Sequence, residues 1–150
     1  MTATSFRVLA LLAVIATAVG FSAMRVWESS GRGAFPLPWS ALAGMLVIAV
    51  AVLVVGWPVR RWNGGRRDRR LDPLRAARTA VLAKASSHSG ALLAGWYAGQ
   101  ALVVLPDLAV EPRRERLLLA VLAVVAAGSM VVAGLVAERW CRLPDDEDDD

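Results

Sequence analysis

Four stretches of the chain carry no charge. Val8–Met24, Ser40–Trp57, Ala85–Leu105 and Leu117–Ala137 contain no Asp, Glu, Lys or Arg and run for 17, 18, 21 and 21 residues. A helix rising ~1.5 Å per residue needs ~17–25 apolar residues to cross a hydrocarbon core, so each stretch predicts a transmembrane helix. The apolar residues are blocked together rather than spaced along one face, which argues against a water-soluble amphipathic bundle. The expected architecture is all-α and polytopic: one domain over residues 1–143 with four spans, then a disordered acidic tail over residues 144–150.

The punctuation between the stretches refines this picture. Gly31, Gly33, Pro36 and Pro38 read as a short turn after the first span, and Pro58 as the close of the second helix. Asp72-Pro73 has the form of a helix start, an N-cap acceptor followed by proline where no N–H is missed. Helix three is therefore expected to begin near Pro73, well before its charge-free stretch.

Composition strengthens the membrane assignment. Apolar residues make up 57% of the chain and the mean hydropathy is +0.50, against roughly 45–50% apolar in ordinary soluble domains. Sixteen of the seventeen basic residues are arginine, a usage typical of GC-rich genomes, and the expected location is a bacterial inner membrane. Twelve basic residues fall in the N-terminus, the second connection, Lys84 and the C-terminal tail, against five in the first and third connections. Basic residues favour the cytoplasmic side, so both termini are expected there. Five of the six tryptophans (Trp27, Trp39, Trp57, Trp62 and Trp140) sit near expected span ends, where an indole keeps its ring apolar and its N–H wet. The first span resembles a signal peptide only weakly, because Phe21 occupies a position before the candidate cut that wants a small residue.

Charge also suggests partners. Arg60, Arg61, Arg66, Arg67, Arg69 and Arg70 crowd the second connection and are expected to meet anionic lipid headgroups, at ~1 kcal/mol per residue. No nucleic-acid fold accompanies them, so no nucleic-acid partner is expected. The acidic run Asp145–Asp150 is expected to stay solvated. A lone Cys141 excludes an intrachain disulfide.

The third stretch is the unusual one. It holds Ser86, Ser87, His88, Ser89 and Gln100 and follows directly on Lys84. Ala83, Ser87, Ala91, Gly95 and Gly99 recur every four residues and end in a GxxxG motif. In lipid, small residues let helix backbones approach closely, so this ridge is expected to face another helix. His88 and Lys84 are expected on the same face, with His88 tucked into the contact. An ionisable group within a span is a candidate site, and its structural alternative is an interhelical hydrogen bond. No carboxylate lies within any charge-free stretch, and no metal-ligand cluster or phosphate-cradling loop is present. No cofactor, metal or catalytic residue is therefore expected, and the chain is not expected to be an enzyme.

The stretches "LDPLRAARTAVLAKAS" and "GALLAGWYAGQAL", with "GWPVRRW" before them and "ERWCR" plus an acidic tail after them, resemble an actinobacterial membrane-protein family, domain of unknown function 3180. The likeness covers nearly the whole chain and is sharpest over residues 56–102. It implies a small four-span membrane protein and, because members are often encoded beside folate-biosynthesis genes, a context near folate metabolism. It brings no catalytic residues with it. Two functional expectations remain. One is an accessory or scaffold protein that forms a homo-oligomer, or docks a membrane partner, through the ridge on helix three. The other is a small transporter or carrier subunit using His88 with Lys84.

Overall fold

The computed structural model describes residues 5–31, 38–63, 73–107 and 111–141. Four long helices account for nearly all of them: α1 (Phe6–Ser29), α2 (Trp39–Asn63), α3 (Pro73–Val104) and α4 (Glu111–Trp140), with a 3-10 turn over Leu105–Asp107. The fold is all-helical, as the charge-free stretches indicate. Each helix outruns its charge-free stretch because arginine and serine are compatible with helix and extend it at the ends. The acidic tail and Arg66, Arg67, Arg69 and Arg70 lie outside the described residues.

Local chemistry sets several boundaries. α3 begins at Pro73, whose ring presets a helical φ and whose missing N–H is not needed in the first turn. α1 ends with Gly31 at φ +69°, the left-handed conformation that glycine adopts without a Cβ clash. Pro58 does not close α2, contrary to expectation: the helix continues to Asn63. A proline forfeits one i→i−4 bond and crowds one carbonyl, but its own φ is helical, so the chain can carry on beyond it.

Among the described residues, three helices are long and apolar enough to cross a membrane: α1, α2 over Trp39–Arg61, and α4. α3 falls short on hydropathy even over its charge-free part, because Ser87, His88, Ser89, Gln100 and its glycines dilute its apolar residues. Yet α3 is the centre of the bundle. Its most extensive packing is with α4 and α1, and it touches α2 as well, while α2 packs chiefly on α4. The spatial order is therefore α1–α3–α4–α2, with α2 leaning back towards α3.

Contacts between glycines and their neighbours give the helix directions. Gly95 abuts Ala13 and Ala16 while Gly99 abuts Thr17 and Phe21, so α1 and α3 run parallel. Gly90 meets Ala127 and Val131 while Gly134 meets Ala83 and Ser87, so α3 and α4 run antiparallel. Gly56 meets Ala137 and Trp140, and Met45 and Ala49 share a core cluster with Ala126, Ala127, Met130 and Ala133, so α2 is parallel to α4. Helix directions alternate along the chain. The start of α1, the end of α2, the start of α3 and the end of α4 consequently lie at the same end of the bundle.

Candidate functional site

α3 carries the candidate residues, and its packing decides what each can do. All five ridge positions (Ala83, Ser87, Ala91, Gly95 and Gly99) are buried. They do not form one face. A four-residue repeat overshoots a 3.6-residue turn by about 40°, so Ala83 and Gly99 end up ~160° apart around the helix. The ridge is a spiral whose lower end meets α4 and whose upper end meets α1. Ala83 packs with Val52 of α2 and Ala137 of α4, and a Cβ on Gly134 would lie 2.6 Å from the Ala83 carbonyl oxygen. At the other end, a Cβ on Gly99 would lie 2.5 Å from the Thr17 carbonyl oxygen and 2.6 Å from the Phe21 nitrogen. Within the chain, α1 and α4 occupy this ridge, because small residues on a drifting repeat serve two neighbours in turn.

His88 is also placed differently from expectation. It is half-buried rather than tucked into a helix contact. It lies ~140° around α3 from Ala83, on the side that α1 takes two turns further up. The parallel pairing of Gly95 and Gly99 with α1 puts His88 level with the first turns of that helix, where α1 begins and covers little. Its Nδ1 lies 2.7 Å from the Lys84 carbonyl oxygen, within its own helix. A carbonyl only accepts, so Nδ1 carries a proton. Ser87 Oγ donates to the same carbonyl at 2.9 Å and sits 3.4 Å from Nδ1. Nε2 is thus the ring nitrogen that this bond leaves unused. Lys84, one turn before, is exposed.

The interhelical hydrogen bond comes from Ser86. Its hydroxyl donates to the Met130 carbonyl oxygen of α4 at 3.3 Å, and the residue is 5% exposed. Ser86 lies off the ridge, but it opens a second row of small residues at the same spacing: Ser86, Gly90, Ala94 and Ala98. That row was readable in the sequence and marks the α4 side. On α4 the matching seam is Ala120, Ala123, Ala127, Met130, Gly134 and Ala137, all buried, at alternating spacings of three and four. This is the seam pattern of closely packed antiparallel helices.

Arg60 and Arg61 are exposed at the end of α2, at the pole of the bundle that also holds Trp57 and Trp140. Cys141 follows α4 at the same pole, and burial together with the Glu138 charge pushes its thiol pKa up. It is accordingly a poor thiolate near neutral pH. Among the described residues no group of three or more His, Cys, Asp or Glu could hold a metal ion.

The geometry is that of a bundle of membrane-span-like helices whose central helix carries the polar residues and is held on both sides. Comparison with curated proteins and with solved structures finds no match to this chain. A family model does match, over residues 9–145, with the description "Protein of unknown function (DUF3180)". That span takes in all four helices apart from the first residues of α1, and the chain belongs to this family.

Proposed function

We propose that the chain is a four-span accessory protein of a bacterial cytoplasmic membrane, with both termini on the cytoplasmic side. The observation that carries the reading is the position of α3, the helix that falls short of spanning hydropathy, at the centre of the bundle. Ser86, Ser87 and Gln100 are shielded there by neighbouring helices, so α3 can cross lipid without exposing every polar group to it. The alternating directions gather the start of α1, the end of α2, the start of α3 and the end of α4 at one pole, and along the sequence most of the arginine is adjacent to those helix ends. Reporter fusions test this directly. A fusion in the 64–72 connection should report the cytoplasm and one in the 32–37 connection the opposite side. An α2–α3 connection on the outer side overturns the orientation, and a chain released from membranes by alkaline carbonate overturns the membrane reading.

The accessory role follows from where the polar groups are spent. Ser86, Ser87 and Nδ1 of His88 all bond to helix carbonyls, which organises the bundle rather than assembling reacting groups. Association with a second copy or a membrane partner would use outward faces, since the α3 ridge is filled. A second reading, a carrier subunit, rests on one observation: the half-exposed His88, whose Nε2 is left unused by the bond to Lys84. Native mass spectrometry of gently extracted protein separates the two. A stoichiometric second protein supports the accessory role. A bound small polar molecule that His88→Ala loses supports the carrier. A bare monomer overturns the accessory role.

A further inference from the structure

At the end of α2, one exposed guanidinium lies against two aromatic rings. Gly56 of α2 has no side chain, which lets Trp140 of α4 lie close against α2: a Cβ at Gly56 would be 3.3 Å from Trp140 Cε3 and from Ala137 Cβ. Trp140 then meets Trp57 edge to face, with ring centroids 6.2 Å apart and planes at 82°. Arg60 sits in the corner between the two rings, its Cζ 5.2 Å from the Trp57 centroid and 5.1 Å from the Trp140 centroid. Two aromatic faces within cation–π range hold the charge in place. They satisfy few of its five N–H donors, because a ring face is a weak acceptor. Among the described residues, no carboxylate pairs with Arg60.

We propose that this corner is a binding site for the phosphate headgroup of one anionic glycerophospholipid. Three features favour a lipid over another anion. The guanidinium fork matches two phosphate oxygens, and it is held in advance, so little side-chain freedom is lost on binding. Arg61 and Arg139 are exposed near the same ends of α2 and α4 and add like charge there. Below it, Trp57, Val54, Val50 and Val47 form an exposed apolar stripe along α2, with the valines 60–66% exposed. The stripe runs ~15 Å into the bundle's flank. A headgroup at Arg60 would lay its acyl chains along it. The site differs from diffuse attraction to a basic loop, because its geometry comes from two helices and a glycine.

The proposal rests on the membrane-spanning reading, and the two fail separately: carbonate extraction removes that reading, whereas the following experiment bears on the site alone. The detergent-solubilised, delipidated chain is titrated with phosphatidylglycerol, with phosphatidylcholine of the same acyl chains, and with inorganic phosphate, under native mass spectrometry. One phosphatidylglycerol should bind tenfold or more tightly than phosphatidylcholine. Arg60→Gln should abolish that preference, Trp140→Leu should weaken it about tenfold, and Arg61→Gln or Arg139→Gln should weaken it less than threefold. Arg60→Lys keeps the charge without the fork and should fall between. If Trp140→Leu unfolds the protein, Arg60→Lys against Arg60→Gln still decides. Equal losses from all three arginines, or an unchanged preference in Arg60→Gln, overturns the site. Saturation by millimolar phosphate with no lipid preference overturns the lipid as its ligand.

Discussion

α3 meets its two main neighbours through different seams. On the α4 side, small residues interlock along both helices, Ser86 adds a hydrogen bond to the Met130 carbonyl, and α4 is tied again to α2 through Met45 and Ala49. On the α1 side, Gly95 and Gly99 let backbones touch, and the Thr17 hydroxyl turns back to Ala13 of its own helix at 2.8 Å. The burial differs accordingly: 44% of the most apolar window of α4 is buried, against 17% for α1. One seam joins the middle of a three-helix core, and the other attaches a peripheral helix. With little hydrophobic drive between helices in lipid, attachment by contact alone is easily lost.

This contrast can be broken by mutation. Gly134→Leu should have the largest effect because of where it sits. Its first carbon would lie 2.6 Å from the Ala83 carbonyl oxygen and 2.8 Å from the Ser87 nitrogen, in the seam that joins the three core helices, whereas the still closer approach at Gly95 involves only the peripheral α1. The backbone cannot step aside, so the cost should reach or exceed the ~1–3 kcal/mol of an overpacked core. Unfolding in a dodecyl sulfate titration should shift for the whole domain. Gly95→Leu should act more locally, since its Cβ would fall against the Ala13 carbonyl and 2.8 Å from Ala16 Cβ. Amide exchange should rise over residues 9–21 while residues 45–53 and 123–137 stay protected. Gly128→Ala serves as the control: nothing lies within 4 Å of its Cβ, and it should leave both readouts unchanged. Identical exchange patterns in Gly95→Leu and Gly134→Leu would erase the distinction between seams.

Ser86→Ala sharpens the same comparison at smaller scale. Interhelical hydrogen bonds in membrane proteins are worth ~0.6–1.7 kcal/mol, and the same titration should detect a loss of that size. A loss in Ser86→Ala that exceeds that of Gly134→Leu would mean that the hydroxyl, not close packing, holds α3 to α4.

Much of the architecture was legible in the sequence. Charge-free length identified the helices, and Asp72-Pro73 marked the residue at which α3 starts. Small residues at intervals of four marked α3 as a packing helix. The target of that packing was not legible, because a repeat of four and a helical turn of 3.6 drift apart. Five positions that look like one face in a sequence become a spiral in space. His88 was misplaced for a second reason: it shares an azimuth only with the upper ridge, and that says nothing about whether a neighbour covers it at its own height. Pro58 misled because a proline signal does not distinguish a break from one lost bond.

The sequence alone determined helix number, helical extent and the apolar character suited to a bilayer. These are sums over neighbouring residues, and a sum needs no partner. Only the tertiary structure decided that α3 sits between α1 and α4, that Ser86 rather than His88 bonds across helices, and that Gly56 brings Trp140 to Trp57 and Arg60. Those outcomes depend on where separate helices cross and at what height. Close approach between backbones is set by pairs of surfaces, and a pair is not written in either stretch by itself.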